Sequence, residues 1–176
     1  DTIRTFSTGA KEKKDKLEVE KGGNMFRWDM KYPDAEDFKG MILWWGSMSG
    51  PVALPGFYKV ALNIDGDIYE QTFEIKGNPL SEATSDDLEA QFRFLMEVRD
   101  KVTEAHEAII DTRDIKDQLS NITKRLKDDT DKKAIIDKAK SIKEQLSEVE
   151  EALYQTKNQS RQDPLNYPIK LTNKLA

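Results

Sequence analysis

The side chains that carry most enzyme chemistry are scarce in this sequence. His106 is its only histidine, and there is no cysteine. Disulfides, thiolate metal sites and His-pair metal sites are therefore excluded. A nucleophile–base dyad would have His106 as its only imidazole base. Its neighbours Glu107 and Asp111 do not complete a ligand set, so it reads as a packing or helix-surface histidine. Carboxylates are abundant, and a suitably spaced pair can hydrolyse a glycoside. Most of them, however, fall at charge-pairing distances along helical stretches. Two clusters stand apart: Asp34, Glu36 and Asp37 in DAEDF, and Asp65 and Asp67 around a turn glycine. Neither has the spacing of a calcium loop. No phosphate-binding glycine motif and no internal repeat occurs. The expectation is no catalytic residue, no cofactor and no metal.

Aromatic residues are the remaining candidates. Trp44 and Trp45 are adjacent. On a strand they would face opposite sides, one in the core and the other against the helices or free to carry a sugar ring. Helix packing is the favoured reading of the pair. With Tyr32 and Phe57 they make up the candidate ligand or partner surface. Two glycosylation sequons, at Asn121 and Asn158, fall in or beside helical stretches and carry no inference.

The elements that must position these groups come in two kinds. Residues 1–80 hold all three tryptophans and most glycines and prolines, with short apolar runs between turn signals. Leu17 and Val19 alternate with charges, and Phe26, Trp28 and Met30 alternate after Gly22-Gly23-Asn24. Gly40–Trp45 is apolar throughout, as in a strand covered on both faces or lying near a partner. The clearest signal is a hairpin. Tyr58, Val60 and Leu62 share one face, Asp65-Gly66 makes the turn, and Tyr69, Gln71, Phe73 and Ile75 return, ending before Pro79. About five or six strands of this kind predict an Ig-like or fibronectin-III-like β-sandwich. Thr2–Phe6 reads as a strand without a partner, so a first strand is expected upstream of Asp1, leaving an open edge.

After Pro79 the apolar period changes from two to about 3.6. Thr84 or Ser85 can cap, and Thr84 with Asp87 has capping-box spacing. The stripe Leu88, Phe92, Leu95, Val102, Ala105, Ile109, Leu119, Ile122, Leu126 predicts a helix of roughly 40 residues. Residues 127–131 interrupt it. Ile135, Ala139, Ile142, Leu146, Val149 and Leu153 then mark a second helix, and a short loop makes the pair antiparallel. Phe94, Met96, Val98 and Ile110 lie off the main stripe and suggest a second contact surface. The tail, residues 160–176, is expected to be extended around Pro164 and Pro168, with a third helix starting at Leu171. The predicted class is α+β: a sandwich over 1–80, a long helical hairpin over 81–159, then the tail.

Composition agrees with exposed helices bearing one buried face: 37% hydrophobic, 35% charged, net charge −5. The only basic run, Lys11–Lys16, is interrupted by acids. No nucleic-acid partner is expected, and no apolar run of about 18 residues would span a membrane. The N-terminus is not a signal peptide.

The runs GGNMFRWDMKYPDA, GMILWWG, PGFYKVALNIDGDIYEQTFEIKGNP, SDDLEAQFRFLMEVRDKVTEAHEAI and QDPLNYPIKLTNKLA together resemble a known family. It is the C-terminal region of large exported bacterial proteins with BNR-repeat or sortilin-like β-propellers, often labelled glycosyl hydrolases. The likeness covers nearly the whole chain. It implies an extracellular or periplasmic location, with any export signal upstream. It also implies a non-catalytic role beside a propeller, whose S-x-D-x-G-x-x-W repeats are absent here. The expected partners are other domains of the parent chain. Two alternatives stay open: a carbohydrate-binding accessory module, and a helical oligomerisation module that meets its own copy.

Overall fold

A computed structural model describes all 176 residues. Two strands, β1 (Gly56–Ile64) and β2 (Asp67–Ile75), form a single antiparallel hairpin. Three helices follow: α1 (Ser85–Leu126), α2 (Lys133–Leu153) and the short α3 (Leu171–Leu175). The chain divides into two compact units. The first comprises residues 1–34 and 49–96, the second residues 35–48 and 97–176.

The predicted sandwich does not form. The sheet has two strands only, and the other apolar runs of residues 1–80 are irregular. Local side-chain hydrogen bonds take the place of a ladder there. Asn24 closes a loop on Glu20, accepting from its N–H at 2.8 Å and donating to its carbonyl at 2.9 Å. The Trp28 indole donates to the Lys31 carbonyl, 3.1 Å away. Left-handed backbone also breaks the extended runs, at Gly22, Met30, Gly40 and Trp45. Two isolated bridges remain, Ser7 with Lys16 and Lys31 with Val52. Gly40–Trp45, predicted as a doubly covered strand, is an irregular segment of the second unit.

The hairpin itself follows its pattern. Asp65 (φ 53°) and Gly66 (φ 103°) both adopt the positive φ of a tight two-residue turn. The Asn63 side chain accepts from the Gly66 N–H. The register pairs Tyr58 with Phe73, Val60 with Gln71, Leu62 with Tyr69 and Ile64 with Asp67. Directly opposed residues share a face. One face is thus mostly apolar, while the other carries Lys59, Asn63, Glu70, Thr72 and Glu74. At its base the apolar face meets Trp28, whose ring lies edge-on to Tyr58 (6.2 Å) and Phe73 (6.4 Å).

Gly50 shows how closely the first unit folds back on itself. A Cβ there would lie 2.2 Å from the Tyr32 carbonyl oxygen, so only glycine fits. Its N–H donates to the Asp34 carboxylate at 3.0 Å.

α1 begins with a reciprocal capping box. The Thr84 N–H donates to Asp87, and the Asp87 N–H donates back to the Thr84 hydroxyl. The Thr84 hydroxyl also donates to the Asp87 carboxylate at 2.6 Å, and this bond, with that from the Thr84 N–H, holds the carboxyl below its ordinary value. No glycine or proline interrupts the 42 residues that follow. In the second unit α1 and α2 run antiparallel. Arg113 and Lys116 bind Glu150, while Ser120, nearer the loop, binds Lys143. The core of this unit is Phe38, Ile109 and Tyr154, with Met41, Leu43 and Leu153 against it. Its covers come from both ends of the sequence: the 35–48 segment, and the tail carrying buried Thr172.

Candidate functional site

His106 lies at the centre of the second unit, fully buried on α1. Its Nδ1 is 2.6 Å from the Glu36 carbonyl oxygen, so Nδ1 carries the proton and donates. The ring stands edge-on to Phe38 at 5.1 Å. Nε2 is buried without a polar partner. The N–H of the same Glu36 donates to the Thr103 hydroxyl. The imidazole therefore ties the 35–48 segment to α1, and no solvent path leads to it.

The strongest charged cluster is also in this unit. Glu150 is almost fully buried and accepts from Arg113 Nε at 2.7 Å and Lys116 Nζ at 2.9 Å. Burial alone would raise its pKa. The hydrogen bonds and charges of Arg113 and Lys116 outweigh burial and hold it below the ordinary value. The Arg113 guanidinium also lies over the Phe38 ring at 4.7 Å and the Tyr154 ring at 5.6 Å, in cation–π range. Every acceptor and donor here serves the packing of α1, α2 and the 35–48 segment.

The acidic residues of DAEDF are divided between the two units. Asp34 accepts from a backbone N–H in the first unit, while Glu36 engages α1 through its backbone in the second. No group of three or more His, Asp or Glu side chains is arranged to hold a metal ion. Two shallow cavities stand out. One, about 220 Å³, is lined by Arg4, Lys14, Asp15 and Asp34 in the first unit. The other is an apolar groove of about 360 Å³ between α1 and α2, lined by Leu119, Ile122, Ile135 and Ile142.

The four aromatic candidates are divided between the two units. Tyr32 and Phe57 belong to the first unit, Trp44 and Trp45 to the second. Tyr32 is half-buried, edge-on to Phe92 at 4.9 Å. Phe57 is 79% exposed on the polar face of the hairpin. Trp44 and Trp45 do not lie on a strand, and their rings do not point apart: the centroids are 6.3 Å from each other, edge to face. The cause is Trp45, whose φ of 55° turns the chain through the left-handed region. For a bulky residue this costs about 1–3 kcal/mol.

Trp45 is also 89% exposed. The backbone on either side of it is fixed. The Asn173 side chain accepts from the Trp44 N–H at 2.8 Å and donates to the Trp44 carbonyl at 2.9 Å. The Ser47 N–H donates to the Ala176 carbonyl at 3.0 Å. Nothing in the sequence marks Asn173 as the partner of a residue 129 positions away.

An uncovered apolar surface lies on the outer half of the hairpin face: Val60, Leu62, Ile64 and Tyr69 are all exposed. Its alternation was legible, its exposure was not. No helix is long and apolar enough to cross a membrane. Neither a family model nor a curated protein nor a solved structure matches the chain.

Proposed function

We propose that this chain is a non-catalytic structural and interaction region of a larger exported β-propeller protein, docking through the apolar face of its hairpin. The observation that carries the reading is the hairpin itself. Val60, Leu62, Ile64 and Tyr69 lie on one face of β1 and β2, each about half exposed or more. Covering four such side chains is worth roughly 4 kcal/mol, at about half the value of full burial each. Both outer edges of the hairpin are also unpaired, so a neighbouring strand can extend the sheet. The use of His106 in packing supports a role without catalysis, since the sole imidazole base is sealed in a core. The resemblance to propeller proteins supplies the partner class and the exported location.

Two measurements test this. The purified chain is expected to release no chromophore from aryl glycosides. Turnover abolished by a single carboxylate substitution would sink the reading. Amide exchange along residues 56–75 is expected to slow in the full-length parent relative to this chain alone. Equal exchange in both would show that the hairpin has no partner there.

A further inference from the structure

We propose that the apolar groove between α1 and α2 seats a second copy of this chain, laid end over end so that two helical hairpins close into a four-helix bundle. The groove belongs to the second unit, so the inference does not rest on docking at the β1–β2 face. Its lining includes Leu119, Ile122, Ile135 and Ile142. The apolar strip is longer than the groove. On α1, Ile115, Leu119, Ile122 and Leu126 recur at spacings of four, three and four. On α2, Ile135, Ile142 and Val149 recur every seven residues. Each set therefore lies along one side of its helix. Ile115 is 43% exposed, and Ile135 and Val149 are each 50% exposed. The 35–48 segment meets α1 at Thr103, His106 and Arg113 and the end of α2 at Tyr154. All four lie further from the inter-helix loop than the groove does.

Charge selects the occupant. Residues 119–143, around the groove and the loop, hold eight Lys or Arg against four Asp. Residues 97–117 of α1 hold seven Asp or Glu against four Lys or Arg. The helical hairpin thus has a basic loop end and an acidic opposite end, and turned end over end it complements itself. The edge of the strip shows the match residue by residue. Asp111, Gln118 and Arg125 are seven residues apart and share the α1 edge that borders the strip. Asp111 and Arg125 are exposed, and neither makes an ion pair within the chain. A two-fold axis across the helices at Gln118 sets Asp111 of each copy against Arg125 of the other. That is the self-complementarity a closed dimer requires. A two-fold axis along the helices would instead bring the two basic ends together. An unrelated partner gives no reason for the edge to invert its sign about its own midpoint. The face is about 33 Å long over residues 104–126 and about 20 Å wide, so both copies together bury on the order of 1,300 Å². This is the lower end of standard interfaces, and a dissociation constant on the order of micromolar follows.

The test is sedimentation equilibrium of the chain from about 1 to 500 μM. A monomer–dimer equilibrium is expected, weakening as salt rises because the edge charges are exposed. Ile135→Asp puts a charge into the strip at the first turn of α2, where the helix end tolerates an acid. It is expected to raise the dissociation constant at least about twentyfold. Asp111→Arg and Arg125→Asp are each expected to raise it about tenfold, because a symmetric contact takes every change twice. The two together exchange the signs and are expected to return it to within about threefold of the parent. All three positions are exposed, so the fold tolerates the changes. Four results overturn the proposal. The chain is monomeric throughout. Ile135→Asp dimerises as the parent does. The double exchange dimerises no more tightly than either single change. Leu62→Thr breaks the dimer and Ile135→Asp does not, which puts the contact on the β1–β2 face.

Discussion

Ile109 and Leu62 are both aliphatic residues on regular elements with clean apolar periodicity. Ile109, on α1, is fully buried, whereas Leu62, on β1, is 51% exposed. The difference lies in what arrives to cover each face. Around Ile109 the 35–48 segment brings Phe38, Met41 and Leu43, and the end of α2 brings Leu153 and Tyr154. The Tyr154 hydroxyl then accepts from the Ile42 N–H at 2.8 Å, so the irregular cover is itself hydrogen-bonded. At the hairpin Trp28 lies against Tyr58 and Phe73, and the face beyond them stays exposed. Periodicity states which face wants burial. It does not state whether the chain holds a segment able to supply it.

The sharpest way to break this comparison is to empty the helical core. Ile109→Ala deletes a side chain with no exposed surface, and the ring-lined site around it cannot collapse easily. The expected loss is about 3–4 kcal/mol of unfolding free energy, read from urea unfolding followed by helical circular dichroism. A loss below about 1 kcal/mol would show that this core is not the packed centre of its unit.

A smaller effect is expected where the same unit is held by charge. Glu150→Gln keeps the shape but leaves Arg113 and Lys116 without their counter-charge. Both partners are partly exposed, so solvent screens the loss, and about 1–2 kcal/mol is expected. The folded-state pKa of Glu150 is lowered. Its stabilisation is therefore full above the ordinary glutamate value of 4.5 and fades as pH falls through the lower folded value. The parent chain should lose more stability than Glu150→Gln as pH drops below that ordinary value. Parallel curves would mean that Glu150 titrates alike in the folded and unfolded chain.

The sequence was legible where one local pattern decides the outcome. Thr84 with Asp87 marks the start of α1, and Asp65-Gly66 makes the hairpin turn. It was illegible where the outcome depends on which of several weak partners wins. KLEVE and NMFRWDM alternate as strands do, yet the Asn24 side chain and the Trp28 indole satisfy nearby backbone groups without a ladder. GMILWW reads as a covered strand, yet only Met41 to Trp44 are partly covered, and Trp45 stands in solvent. Tyr32 and Trp44 are partly packed, and only Trp45 and Phe57 stay in solvent. The turn at Trp45 depends on Asn173 and Ala176, and no local spacing encodes contacts that distant.

The smallest expected effect is the one that most sharpens the contrast. Leu62→Thr removes an aliphatic side chain from β1 but keeps a β-branched residue suited to a strand. If Leu62 is half in water in the folded chain, little burial is lost. Tyr69, its cross-strand neighbour, still has the threonine methyl to lie against. The expected change is about 0.5 kcal/mol or less, several times smaller than for Ile109→Ala, and independent of protein concentration. The same substitution should weaken whatever docks on the hairpin, because burial lost on docking is not compensated elsewhere. Sedimentation and urea unfolding at two concentrations check both halves. A loss above about 1.5 kcal/mol that grows with concentration would mean the hairpin face is already covered by a second copy. The two units would then differ only in whether their cover lies on the same chain.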